Sequence, residues 1–251
     1  MKNNVTRLHL SKKFPCAREP EFLERRVNAY YRNRVQNTWG GGHIMRGRIP
    51  DKNALLLSSN DYLFVANHPA ILKAASESIL QKGNGLLMSG IFLHGANPLL
   101  QLEQNLAAFM GAESGILCQS GWCANTGLIQ SIANEQIPVY VDMLAHMSLW
   151  EGIRSANATA VMFYHNDPEY LERQILKYGP GVIVVDSIYS TNGSICPLQE
   201  IADIAGAQGC ILVVDESHSL GTHGEQGEGL VVSMGLTEKV HFRTASLAKA
   251  L

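Results

Sequence analysis

The residues best suited to chemistry gather near the end of the chain, in CILVVDESHSLGTHG and VHFRTASLAKAL, where Asp215 and His218 are followed by Ser246 and Lys249. Cys210 to Val214 is an unbroken apolar run bounded by Gly209 and Asp215, the pattern of a strand covered on both faces. Side chains at the carboxyl end of such a strand reach the ligand crevice of an open α/β sheet. An acid there can pair with a ring nitrogen, and a lysine on a following loop can form an imine with a carbonyl cofactor. Those are the parts that pyridoxal 5'-phosphate (PLP) requires. Taken alone, Lys249 reads more readily as an ordinary surface lysine at a fraying terminus.

The elements that must position these groups follow from periodicity. From about residue 114 onward strands and helices alternate at βαβ spacing, which predicts a mostly parallel sheet. PVYVDM, AVMFYHND, GVIVVD, CILVVD and a strand within KVHFRTASLAK supply the strands. LAHMSLWEGIRSANA, PEYLERQILKYG (capped by Asp167 and begun by Pro168) and PLQEIADIAGAQG supply helices. In a parallel sheet the strand ends share one edge, so candidates distant in sequence converge: Ser120 with Trp122, His146, Asp186 with Ser190, and Asp215 with His218.

GILCQSGWCANTGLIQSI reads as a short strand, a tight Ser120-Gly121 turn and a helix. Free N–H groups and the positive dipole end at that helix start suit a phosphate, while Ser and Gly there also serve turn geometry alone. Trp122 either covers a flat ring or packs in the core. His146 either caps its helix or acts in a site, and its place at a strand end with Asp142 before it brings the two readings level.

Upstream, residues 1–54 form an arm with a helix from about Pro20 to Arg34. ALLLSSNDYL follows as a short strand and turn, then HPAILKAASESIL as a helix started by Pro69. Asn60 falls in that turn, where an Asn either closes its own backbone turn or meets a substrate. MSGIFLHGANP is a glycine-punctuated loop, and PLLQLEQNLAAFMG an amphipathic helix ended by Gly111.

Composition narrows the function classes. With 46% hydrophobic and 17% charged residues over 251 positions the chain can bury a large core, and a net charge of −2 gives no basis for a nucleic-acid surface. The five cysteines form no CxxC pair, so neither a zinc cage nor a disulfide framework is expected. His218 and His223 lack a third metal ligand, and no G-x-S-x-G elbow occurs. No stretch reaches the ~18 consecutive apolar residues of a membrane span, and a cytoplasmic protein is the expectation.

NDYLFVANHP, LEQNLAAFMG, QSGWCAN, VDESHSLGTHG and TASLAK resemble the α-oxoamine synthases, fold-type I PLP enzymes that condense an amino acid with an acyl-CoA, usually with loss of carbon dioxide. Within that family AHMSLWEGIRSANA, GPGVIVVDSIYST and VHFRTASLAK resemble the α-hydroxyketone autoinducer synthases of bacterial quorum sensing. The resemblance covers about residues 55–251. It implies the large domain of a fold-type I PLP-dependent transferase, an α/β unit with a mostly parallel sheet and flanking helices, over 55–251.

By position, the resemblance makes Lys249 the Schiff-base lysine and Asp215 the partner of the pyridine nitrogen. His218 and Ser190 correspond to the groups at the cofactor's phenolic oxygen, and His146 to the imidazole stacked on its ring. Ser120, Gly121, Trp122 and Ser246 correspond to phosphate-binding and ring-flanking positions, and Asn60 to a residue near the substrate carboxylate. Where the family loop carries Gly-Thr and a downstream His, this chain reads HGANP, which leaves that part of the substrate contact open.

The chain stops two residues after Lys249, where the family continues into further strands and a carboxy-terminal domain, so the large domain is expected to be partial and the small domain absent. The implied activity is condensation of an acyl-CoA with a small amino donor to an α-aminoketone or α-hydroxyketone autoinducer precursor, by a homodimer when full length. The alternatives are another synthase of the family, of the 8-amino-7-oxononanoate, 5-aminolevulinate, 2-amino-3-ketobutyrate or sphingoid-base type, or an inactive truncated remnant.

Overall fold

The computed structural model describes residues 20–37, 53, 59–83, 85, 89–92 and 94–250. The chain divides into two units, Met1–Leu57 and Ser58–Leu251. In the first, helix α1 (Glu21–Tyr30) runs into a π-helical turn at Tyr31–Gln36, so the helix expected from Pro20 to Arg34 is present and slightly longer.

The second unit is built on five parallel strands: β1 (Pro138–Asp142), β2 (Thr159–Phe163), β3 (Val182–Asp186), β4 (Ile211–Asp215) and β5 (Phe242–Thr244). Their order is β2-β1-β3-β4-β5, all neighbours running parallel. β3 is buried at every position, as its VIVVD run requires of a strand with helices on both faces. The chain leaves β1 for β2 on one side and returns to β3 on the other. The β1/β3 boundary is therefore the switch point, where such sheets open a crevice beyond their carboxyl ends.

Helices α2 (Pro69–Lys82), α3 (Pro98–Phe109) and α4 (Gly121–Ile132) precede the sheet in the chain. Between β1 and β2 comes α5 (Met147–Ser155); α6 (Pro168–Tyr178), α7 (Leu198–Ala207) and the short α8 (Leu230–Ser233) connect the later strands. Alternation along the strands divides the core in two. Val139, Val141, Val182, Val184 and Val213 pack with Ile129, Leu149 and Ile153 of α4 and α5. On the opposite face Tyr140, Ile183, Val185, Leu212 and Val214 pack with Leu171, Ile175, Leu198 and Ile201 of α6 and α7.

Short polar side chains set three helix starts, of which only the Asp167 cap was expected. Asn97, Ser120 and Asp167 each accept a backbone N–H with the side chain at the start of α3, α4 and α6. Gly111, at φ +62°, ends α3 in the left-handed region that glycine favours.

One expected element is absent. Residues 115–118 form no strand: Ile116 is 86% exposed, and the Leu117 N–H donates to Glu103 Oε1 at 2.8 Å. An apolar run becomes a strand only beside a ladder partner, and here a carboxylate takes the N–H instead. The strand expected at 54–58 lies outside the described residues.

Candidate active site

Asp142, Asp186, Asp215 and Thr244 close β1, β3, β4 and β5, and all four are buried. Asp186 pairs in register with Asp215, and Asp215 with Thr244. The convergence expected from a parallel sheet is thus present.

Asp215 stands at the centre of a hydrogen-bond network. Its Oδ1 accepts the Ser217 N–H at 2.8 Å and its Oδ2 accepts from Asn125 Nδ2 at 2.7 Å. Asn125, from the first turns of α4, also donates through Nδ2 to Ser148 Oγ at 2.8 Å and accepts from Thr244 Oγ1 at 2.6 Å. Ser148 Oγ lies 2.7 Å from Nδ1 of His146. His146 heads α5 as its cap, accepting the Ser148 N–H, and Trp122 meets its ring edge-on with centroids 6.0 Å apart.

Asp186 accepts the His146 N–H through Oδ2 at 3.0 Å and leaves Oδ1 buried without a hydrogen-bond partner. Burial, reinforced by the neighbouring Asp215 charge, pushes its carboxyl up to about 8. Asp142, which the sequence paired with His146, is engaged elsewhere. It accepts the Leu144 and Asn166 N–H groups and lies 3.0 Å from Nδ1 of His165, whose Nε2 is 2.7 Å from Ser194 Oγ. The acid that reaches the His146 N–H is therefore Asp186 at the end of β3, while Asp142 at the end of β1 is taken up by Leu144, Asn166 and His165.

Lys249 is half-buried, and burial lowers its amine below the usual lysine range while Asp215 and Asp186 pull in the opposite direction. His218 is also lowered, first by burial and then by the Lys249 charge. These couplings put Lys249, Asp215, Asp186 and His218 in one electrostatic neighbourhood. His218 Nδ1 lies 2.7 Å from the Tyr62 hydroxyl, which is 3.3 Å from Oδ1 of Asn60. Asn60 thus reaches His218 through one intermediary.

Ser120 caps α4 through Oγ, accepting the Cys123 N–H at 3.2 Å. Gly121 abuts the lysine loop: a Cβ there would stand 3.1 Å from Ser246 Cβ, and the Ser246 N–H donates to Ser217 Oγ at 2.9 Å. The turn after residue 119 and the residues before Lys249 are therefore in close contact. Ser190 is exposed and stands apart from this network; its neighbour Ser187 is buried, donating through Oγ to the Asp215 carbonyl at 3.0 Å.

Sequence reasoning missed Asn125, Ser148, Thr244 and Tyr62. Asn125 had a signal: it sits one turn before Ile129 on the face of α4 that is buried, where a polar residue needs partners. Thr244 and Tyr62 had none, since only the packed chain brings them to Asn125 and His218. Among the described residues no group of three or more His, Cys, Asp or Glu side chains could hold a metal ion, and no helix is long and apolar enough to cross a membrane.

The family model for aminotransferase class I and II matches residues 52–251. The CAI-1 autoinducer synthase of Vibrio campbellii is 46% identical over 230 residues, 92% of this chain and 58% of that protein. The 8-amino-7-oxononanoate synthase of Coprothermobacter proteolyticus is 35% identical over 239 residues, 92% of this chain and 60% of that protein. Among solved structures, a serine palmitoyltransferase from S. paucimobilis with a bound PLP-myriocin aldimine matches with a TM-score of 0.72 and 28% identity, over 76% of this chain and 49% of that one. The chain spans 58–60% of the length of these curated relatives.

Proposed function

The chain belongs to the aminotransferase class I and II family, and from that premise we propose that it binds PLP through Lys249 and serves as a PLP-dependent acyltransferase. It joins an acyl-CoA to a small amino donor, giving an α-aminoketone or α-hydroxyketone precursor of a quorum-sensing autoinducer. One observation carries this reading: a half-buried lysine amine is coupled to a buried carboxylate whose two oxygens are held by Ser217 and Asn125 at the sheet's carboxyl edge. Similarity to the autoinducer synthase supports the product class.

The residues present fit the cofactor. Asp215, its oxygens oriented by Asn125 and Ser217, would accept the N–H of the pyridine nitrogen. The first N–H groups of α4, with Ser120, Gly121 and Ser246, hold the phosphate, and the close approach of Gly121 to Ser246 supports this grouping. His146 and Trp122 would flank the ring, His218 would serve the phenolic oxygen and Asn60 the donor's carboxylate, while the exposed Ser190 would have to turn inward to join His218. Bound there, PLP supplies the electron sink for charge developing at the donor's α-carbon.

Lys249 is both the covalent anchor and, once released, the group that moves the proton at the donor's α-carbon. Burial serves both tasks, because it enlarges the neutral fraction of the amine. Asp186, holding the His146 N–H, fixes the start of α5 against β3.

The domain boundary belongs to the same reading: residues 1–54 form an arm and residues 55–251 the PLP-binding large domain. So does a cytoplasmic homodimer; the exposed Ile71, Leu72, Ile79 and Leu80 of α2 are the kind of apolar surface such an interface covers. The 35% identity to an 8-amino-7-oxononanoate synthase favours, as second reading, another α-oxoamine synthase.

The test is spectroscopic, then chemical. Purified chain mixed with PLP develops a visible absorbance band that Lys249→Ala abolishes. The protein encoded by the complete reading frame then releases CoA from acyl-CoA in the presence of an amino donor, and the preferred donor separates the two readings. No band, or one unaffected by Lys249→Ala, overturns the assignment; so does failure to release CoA across donors and chain lengths.

A further inference from the structure

Asn125 has no freedom in how its amide faces. As a carboxylate, Asp215 can only accept, so the amide nitrogen must be the atom 2.7 Å from Oδ2. Thr244 Oγ1, 2.6 Å from the amide oxygen, then donates to it. The second hydrogen on Asn125 Nδ2 goes to Ser148 Oγ at 2.8 Å. The Ser148 hydroxyl also lies 2.7 Å from His146 Nδ1. Because the Ser148 backbone N–H is directed at that nitrogen, 3.3 Å away, Nδ1 accepts there and the hydroxyl turns its own proton to it. A ring nitrogen that accepts carries no proton, so the proton of the neutral imidazole sits on Nε2.

The five members of this chain come from four elements: Asp215 ends β4, Thr244 ends β5, Asn125 lies in α4, and His146 and Ser148 stand at the start of α5. Asn125 and Ser148 are 1% and 0% exposed, so water does not compete for these bonds. Trp122 contacts the His146 ring edge, and among the described residues no hydrogen bond is made to Nε2.

We propose that Asn125 is a positioning residue: through Ser148 it fixes His146 as the Nε2–H tautomer, so that the ring presents a hydrogen-bond donor rather than a lone pair to a substrate oxygen. The use of that donor in catalysis rests on the PLP-dependent reading above; the tautomer does not. The same side chain holds Asp215, so one amide sets the orientation of the carboxylate and of the imidazole together. With the other tautomer, Nε2 would turn a lone pair toward an oxygen and repel it.

The experiment needs no cofactor. In the 15N-labelled chain, long-range 1H–15N spectra of the histidine rings report which nitrogen is protonated, with His146 assigned by its loss in His146→Gln. The expected wild-type pattern is a protonated Nε2 and a bare Nδ1. In Asn125→Ala and in Ser148→Ala the two nitrogen shifts move toward one another as both tautomers become populated. Ser148→Ala keeps the Asn125 bonds to Asp215 and Thr244, so it decides the matter even where Asn125→Ala fails to fold. A protonated Nδ1 in the wild type, or shifts unmoved by Ser148→Ala, overturns the proposal. Absorbance with added PLP, measured on the same samples, keeps the two readings apart: an Nε2–H pattern without a band supports the relay and removes the assigned function.

Discussion

Asp186 and Asp215 occupy paired positions at the ends of β3 and β4, so two carboxyl groups share one buried edge of the sheet. Asp215 has donors on both oxygens, whereas Asp186 has one oxygen bonded and the other bare. The carboxyl of Asp186 is accordingly raised to about 8, by burial and then by the Asp215 charge. Its folded value lies above its unfolded one, so the folded chain holds a proton that the unfolded chain has lost. Stability from this group is full below the unfolded carboxylate range and is lost as pH climbs toward about 8. Urea unfolding between pH 5 and pH 8 should show wild type losing stability faster than Asp186→Asn, with a difference of up to ~1.4 kcal/mol per pH unit. Parallel profiles for the two proteins would place the proton elsewhere.

His218 feels the Lys249 charge as well as its own burial, and both lower its titration. Removing a like charge favours the protonated ring, so Lys249→Ala should raise the His218 titration point. Its C–H resonance followed against pH reads this directly, and a fall on substitution would contradict the coupling.

Thr244 is the donor that fixes Asn125 Oδ1. Thr244→Val keeps the shape and removes the hydroxyl, leaving a buried acceptor without a partner at a cost of ~1–3 kcal/mol. Chemical denaturation measures the loss, and an unchanged midpoint would show that this acceptor finds another donor.

Gly152 on α5 sits where α4 crosses it. A Cβ there would lie 2.8 Å from Ile129 Cδ1 and 3.2 Å from the Asn125 carbonyl oxygen. Gly152→Ala should therefore push the two helices apart, destabilise the chain by ~1–3 kcal/mol and weaken PLP binding through Asn125. A stable variant with unaltered binding would mean that α4 and α5 shift apart without disturbing Asn125.

Much of this architecture was legible in the order of residues. Apolar runs ending in Asp142, Asp186 and Asp215 had to be buried strands, and the helices between them forced parallel pairing, which brings those acids to one edge. Asp167 marked a helix start because a short polar side chain satisfies a free N–H group there. The run at 115–118 misled, since strand formation depends on a partner that the local sequence does not contain.

What sequence alone determined, then, was which acids end the buried strands and at which edge they meet: local periodicity and the fixed geometry of parallel pairing suffice for that. Which acid serves which histidine was decided by packing. Strand order put Asp186, not Asp142, against the His146 N–H, and the crossing of α4 over β4 and β5 delivered Asn125 to Asp215 and Ser148. Hydrogen bonds act over about 3 Å, a distance set by how helices seat on a sheet. No spacing along the chain encodes it.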